Sequence, residues 1–556
     1  MTDLFWVQLV SNMLLDQEKA TIPDDSQLPD HEAGEIASVH ERDELDRLGY
    51  RQEMRRNRSV ITLLFQTLAM AAIPYGEGSA LLNAIYGGGP LSIFVGWIVV
   101  CVLDQCIALS LAELASRYPT SAGPYYWSFQ IARGSKTTIS FINAWIWLIG
   151  NWTITLSVNF GFASMLSATI SMYHPTWSAN SWQLLLIFYA VCLGSLAICT
   201  LANRYLPQVD IACATWTALT IVVILIAVSV KADAGRHSAS YALGHYDKSF
   251  AGWGGFTFFI GLLPAAYTFS AIGMVSSMAE ECANPAIKVP RAIALSVPVG
   301  GTAGLFFVIP LCVTLPPLED IINAPGGQAL PYILHRVMGS PGAGLGLVFL
   351  VLIVTLFCSI SITVAASRST WAVARDDALP LARLWSHVHP RLGVPVWSLV
   401  LLTAIQMLLG LINLGSSSAF TAFVSVGVIA LAVAYAIPIS LSLFHGRAEV
   451  SRAPWTCGNT VGTFVNVLAL AWIAFELVLF SMPTALPVTR VSMNYASVVF
   501  VGFMAISAVW YAVYARKCKF FNVVFAVRAA LGANGMQIIR VRPSRMLWIE
   551  QLWHLD

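Results

Sequence analysis

Charged residues are scarce in this chain: Asp, Glu, Lys and Arg make up 11% of its 556 residues, against roughly 25% in an average soluble domain. With 57% hydrophobic residues and a mean hydropathy of +0.70, the sequence lacks the polar surface that soluble domains of this combined size need. A formal net charge of +2 and the absence of basic runs interleaved with aromatics argue against a nucleic-acid partner. Catalytic signatures are missing too: there is no H-E-x-x-H, no G-x-S-x-G and no polar His/Asp array at one depth, so an enzyme is not expected. The ten cysteines show no C-x-x-C or Cys/His metal spacing. Cys101, Cys106, Cys192, Cys199, Cys213, Cys312 and Cys358 lie in apolar runs and read as small buried hydrophobes. No metal or cofactor is implied. A cleaved presequence is not expected either, since Asp3 replaces a basic start and no small-residue cleavage site follows.

Long apolar runs are what the chain has in abundance. Lipid cannot satisfy a bare backbone, so crossing it takes a helix of about twenty mainly apolar residues. About twelve such runs fall between Val60 and Tyr514, the first reading Val60–Ile85 and the sixth Gly254–Met278. The expected fold class is an all-α polytopic membrane protein of about twelve transmembrane helices. Residues 1–59 read as a polar, largely disordered cytoplasmic tail, 60–515 as the membrane domain and 516–556 as a second cytoplasmic tail. With the N-terminus placed inside, only Lys231, Arg236, Lys248, Arg336 and Arg490 of the 31 Lys and Arg residues fall on the outer side. That bias puts both termini in the cytoplasm, and the plasma membrane is the expected location.

The first run contains Ala72-Ile73-Pro74-Tyr75-Gly76-Glu77-Gly78-Ser79, a proline, two glycines and a carboxylate near mid-membrane. One reading is a proline kink with Glu77 paired to a polar neighbour. The other is an unwound segment lining a polar cavity, with Glu77 as counter-charge or proton carrier. The sixth run is interrupted between Pro264 and Gly273. Spans one and six correspond if spans one to five and six to ten are two repeats, and paired broken helices point to a transport site. Other intramembrane acids are Asp104, a candidate proton carrier or a hydrogen-bonded acid between helices; Asp210, read as interfacial and structural; and Glu476, read as a packing or oligomer contact.

A small cationic amine needs a carboxylate, carbonyl dipoles or an aromatic box. Candidates are Tyr75, Gly76, Glu77, Gly78, Trp147, Asn151, Tyr267, Phe269, Ser270 and Gly273, with amides around Gly76 and Gly78 available to a substrate carboxylate. Near the inner surface, Arg58, Glu280, Arg375 and Asp376 form a candidate inner gate, in which Arg56 or Arg58 could pair with Asp376. A transporter-like nutrient receptor would carry the same kind of binding site.

Several motifs resemble one family. Arg375-Asp376-Asp377-Ala378-Leu379-Pro380, followed by Leu384-Trp385-Ser386-His387-Val388-His389-Pro390 and Gly393-Val394-Pro395, is similar to the loop after span eight of fungal amino acid/choline transporters. So are Ala112–Trp127, Met278–Pro285 with Val289–Ile293, and Leu486–Thr489 with Met493–Tyr495. The resemblance implies the amino acid–polyamine–organocation superfamily and its leucine-transporter-like fold: two inverted five-helix repeats plus two extra helices. It implies proton-driven transport of choline, 4-aminobutyrate or related amines and amino acids, so a small amine or amino acid, protons and the bilayer are the expected partners. The chain departs from those relatives at three places. Gly273 stands where an aspartate is frequent, Ser277 where a histidine precedes the methionine, and Glu77 where the position is usually uncharged. A carboxylate moved from span six to span one would explain the first and third. The ending from Arg516 to Asp556, with its apolar stretch Phe520–Leu531, is unlike the hydrophilic end the resemblance implies and reads as interfacial or as a gene-model error, a suspicion that extends to the apolar start Met1–Leu15.

Overall fold

The fold follows from a computed structural model in which residues 45–174, 176–415, 419–489 and 493–515 are described. Among them, twelve helices are long and apolar enough to cross a membrane. Spans one to six are Val60–Ser79, Pro90–Arg117, Lys136–Tyr173, Ser181–Leu201, Asn203–Lys231 and Gly254–Glu281. Spans seven to twelve are Pro285–Val313, Pro341–Arg375, Val396–Leu414, Ser425–Phe444, Asn459–Leu479 and Ala496–Val513. The expected all-α polytopic class therefore holds. The stretch predicted to close span one forms a separate short helix, Leu81–Tyr86.

Spans one, three, six and eight make the interior, each with about three-quarters of its apolar window buried, while span twelve is almost wholly peripheral. In lipid, helices associate through close packing instead of a solvent-driven force, and small residues mark the closest contacts. Gly304 of span seven receives the ring of Trp97 from span two, whose Nε1 donates to the Gly301 carbonyl at 2.9 Å. Gly150 of span three lies against Leu431 of span ten, and Gly427 returns the contact to Ile154. Of the seven cysteines read as buried hydrophobes, all are buried except the half-buried Cys101, and all are free thiols.

The stretch before span one is only partly a tail. Leu45, Tyr50, Met54 and Arg58 are buried against the bundle, and the amides of Asn57 and Arg58 both donate to the Glu281 carbonyl at 3.0 Å. Apolar residues spaced through a polar sequence gave no periodic signal, but span ends supply the surface they cover. Residues 1–44 and 516–556, which contain the remaining tail assignments, the apolar start and the Phe520–Leu531 stretch, lie outside the described residues.

Candidate functional site

Both irregular spans are broken at mid-course. Span one is helical over Val60–Ala71, turns at Ala72 into the left-handed region (φ 43°, ψ 52°) and resumes over Ile73–Ser79. Pro74 fits the first turn of the second half, where its missing N–H would have no partner anyway. A left-handed alanine costs roughly 1–2 kcal/mol, so surrounding packing must hold it. The break thus lies before the glycines. The Gly76 amide is already bonded to the Ala72 carbonyl at 2.9 Å, which removes it as a free anion donor. Gly76 instead lets span one touch span six: a Cβ there would fall 2.7 Å from the Thr268 hydroxyl. Gly78 is filled by Leu330 in the same way. Span six is helical over Leu263–Phe269, turns at Ser270 and Ala271, and continues tightly wound over Ile272–Glu281.

Around these breaks the predicted residues fall into two groups. Toward span three, the Tyr75 hydroxyl donates to the Val158 carbonyl at 3.3 Å, and the Ser157 and Tyr267 hydroxyls are 3.0 Å apart. Trp147 lies 5.8 Å from the ring of Tyr435 in span ten, and the Tyr435 hydroxyl donates to the Ser270 carbonyl at 3.2 Å. Tyr435 also occupies the space over Gly273. Within this group the Trp147 Nε1 donor and the Asn151 Oδ1 acceptor, one turn apart, are buried with no partner among the described residues; Asn151 Nδ2 donates to the Trp147 carbonyl at 2.7 Å. Such unpaired buried atoms are uncommon and call for an explanation.

The second group faces spans two and seven. Phe269 packs on Trp97 at 5.4 Å and against Gly300. Glu77 is buried, its Oε2 has no partner among the described residues, and it lies within electrostatic range of Cys101 and Cys312. The structure thus separates Glu77 from Tyr75, two residues away on the opposite side of the helix. Asp104 accepts from Trp472 Nε1 at 2.8 Å. Glu476 belongs to the same neighbourhood, turned inward from span eleven instead of outward to lipid or a second copy.

At the end of the bundle where span one begins, charge is buried in two linked sets. Arg58 bonds Asp210 and Glu281, each at 2.9 Å, and Arg368 bonds Glu281 at 2.8 Å and Asn203 Oδ1 at 2.9 Å. Beside them, Arg375 takes Glu280 with two bonds of 2.9 and 3.0 Å and is sandwiched between the rings of Tyr50 and Trp371, 4.0 and 4.3 Å away. Asp376 accepts from Tyr50 at 2.9 Å and Tyr125 at 2.8 Å. Burial pushes the Asp376 carboxyl up to about 6, with Arg375 and the two phenols only partly opposing it. Arg58 therefore pairs with Asp210 and Glu281, not with Asp376, and Asp210 is 3% exposed. Asp210 also accepts from the Ser361 hydroxyl at 2.8 Å, so its two partners lie 152 residues before it and 151 after it. No local spacing in the sequence links such positions.

The sequence signature of the amino acid permease family matches residues 59–504. This chain belongs to that family. Over 461 residues the permease is 28% identical to a choline transporter of Saccharomyces cerevisiae, covering 82% of this chain and 81% of that one. It is 30% identical over 487 residues to an amino-acid permease homolog of Oryza sativa subsp. japonica, covering 84% and 92%. It is also 30% identical over 437 residues to a polyamine transporter of S. cerevisiae, covering 77% and 70%. The permease is thus an integral, multi-pass membrane transporter for amino acids or amines, and not an enzyme.

The end of the permease opposite the charge network holds a cavity of about 370 Å³. Its wall runs from Ser79 at the end of span one past Leu263 at the start of the span-six helix, with Asn83, Gln328, Asn413 and Asn494 supplying amides. Amides of this kind hydrogen-bond water and small polar solutes equally well. The bundle is therefore sealed by ion pairs at one end and hollow at the other.

Proposed function

We propose that this permease is a proton-driven symporter of a small ammonium compound, choline or 4-aminobutyrate in type, in the plasma membrane with both termini cytoplasmic. The observation that carries the reading is the unpaired couple Trp147 Nε1 and Asn151 Oδ1 beside the span-six break. A buried donor and acceptor left unmade cost about 1–3 kcal/mol each, and a ligand with an oxygen acceptor and an N–H or O–H donor recovers that cost. Tyr75, Tyr267 and Tyr435 supply ring faces and hydroxyls around them, and carbonyls near Ser270 and Gly273 supply dipoles for a cation. Phe269, Gly76 and Gly78 shape the two half-helices without offering free polar groups. Glu77, facing spans two and seven, is assigned to proton coupling together with Asp104. The sequence's positive-inside bias makes the Arg58, Glu280, Arg375 and Asp376 end cytoplasmic, so this conformation has its inner gate shut. The names of the relatives, which include a choline transporter and a polyamine transporter, support an amine substrate.

The test is uptake by the purified protein in vesicles of choline, 4-aminobutyrate, a polyamine and neutral amino acids, with and without an inward proton gradient. One ammonium compound should accumulate, and a protonophore should abolish the accumulation. Binding without accumulation of any of them would make the protein a receptor, and accumulation indifferent to the gradient would remove proton coupling.

A further inference from the structure

We propose that Asp104 and Glu476 form one shared proton site, which brings span eleven, outside the two five-helix repeats, into contact with the span-six break. The inference rests on the proton-driven reading above. The two side chains come from spans two and eleven and are 3% and 4% exposed. They line one small cavity of about 10 Å³ with Ser270 and Tyr435, room for about one water. Trp472, one turn before Glu476, donates to Asp104 Oδ1 at 2.8 Å and so fixes the register of the two helices. The Glu476 carboxyl lines the cavity with no hydrogen bond or ion pair among the described residues.

The surroundings decide what this pair can hold. The titratable groups that face it are the Cys101 and Cys106 thiols from span two and the Tyr435 phenol from span ten. Glu77 of span one acts on the same Cys101. No Lys, Arg or His forms an ion pair with either acid among the described residues. Two carboxylates side by side in an apolar interior, without a cation, cannot both stay ionised at modest cost, and one proton between them removes most of the repulsion. A metal cation would need several oxygen ligands, and the cavity offers too few, so the proton is the fitting occupant.

The step is a simple exchange: a proton from water on one side joins a carboxylate oxygen of the pair, and the same proton later leaves to water on the other side. Because Ser270 and Tyr435 share the cavity wall, the charge of the pair acts on the turn that breaks span six. With the shared proton in place the pair carries a single negative charge and suits a closed cavity; without it the pair carries two and draws water toward Ser270.

Infrared difference spectra of the purified protein in nanodiscs, titrated in H2O and D2O, test the shared proton without any substrate. Wild type should show a protonated-carboxyl band that changes in both Asp104→Asn and Glu476→Gln and vanishes in the double variant. A band untouched by Glu476→Gln would overturn the proposal. Trp472→Phe keeps both acids and should shift the band, which guards against a misfolded Glu476→Gln. In vesicles, the ratio of gradient-driven uptake to substrate exchange should fall roughly tenfold in Glu476→Gln, a loss of coupling of about 1.4 kcal/mol. A gradient-driven wild type whose Glu476→Gln variant keeps the same ratio would also overturn it. If wild type itself ignores the gradient, the proton-driven reading fails, and the infrared band still decides whether the proton is shared.

Discussion

The ring of Tyr435 lies so close over Gly273 that a Cβ at that position would fall 2.5 Å from the ring's Cε1. Real side chains essentially never approach so closely, so the glycine and the tyrosine are a matched pair across spans six and ten. An aspartate at Gly273 has no room while Tyr435 is present. Gly273→Asp should therefore abolish uptake, and adding Glu77→Gly should not restore it, contrary to the idea of a carboxylate exchanged between spans one and six. Gly273→Asp combined with Tyr435→Ala should express as a folded protein where Gly273→Asp alone does not, as judged by gel filtration in detergent. Rescue by the Glu77→Gly pairing would show that the ring moves aside freely.

Asn151→Leu offers a sharper reading of the binding couple. The Oδ1 atom has no partner among the described residues, and relief of that unmade bond offsets the lost Nδ2 bond to the Trp147 carbonyl, so the melting temperature should stay within about 2 °C, equivalent to less than 1 kcal/mol in a protein of this size. The uptake KM should rise about tenfold, the loss of one good hydrogen bond worth roughly 1.4 kcal/mol. A large drop in melting temperature with an unchanged KM would make Asn151 a packing residue.

Arg58→Gln should open the sealed end. It leaves Asp210 and Glu281 buried with fewer compensating bonds, a loss of about 3–5 kcal/mol for a buried ion pair broken from one side. Thermal stability should fall, and single cysteines placed below the network should become reactive from that side. Unchanged reactivity would mean that the network does not gate.

Asp376 gives the gate a pH dependence whose sign can be worked out. In the sealed conformation its carboxyl is pushed up to about 6, above the ordinary value of about 3.9 that an opened, hydrated Asp would have. The sealed form therefore binds the extra proton, is favoured as pH falls through about 6, and loses that advantage as pH rises past it. Accessibility of the sealed end should decrease between pH 7 and pH 5 in wild type and stay flat in Asp376→Asn. An equal response in both would remove Asp376 from the gate.

Hydropathy made the twelve spans legible because length and apolarity are local properties of a run. The break in span six fell inside the stretch from Pro264 to Gly273 for the same reason, since proline and small residues announce it. In span one the strongest local signals, Pro74, Gly76 and Gly78, lie after the break, whereas Ala72 takes a left-handed conformation that nothing in its own chemistry advertises. Tyr435 sits in an apolar run of span ten without any marker of its place over Gly273. Arg58, Asp210, Glu281 and Arg368 are each visible as charges, but their association depends on four span ends meeting in space. Glu476 looked peripheral because span eleven lies outside the repeats. Only the packing against span two turns it inward.

The bonds from the Asn57 and Arg58 amides to the Glu281 carbonyl, together with the Arg58–Glu281 ion pair, join the start of span one to the end of span six by both backbone and side chain. Two hinged rods tied at one end cannot swing separately. Ala72 and the Ser270–Ala271 turn would then flex together as the two elbows of a single lever, with the tied ends as its handle.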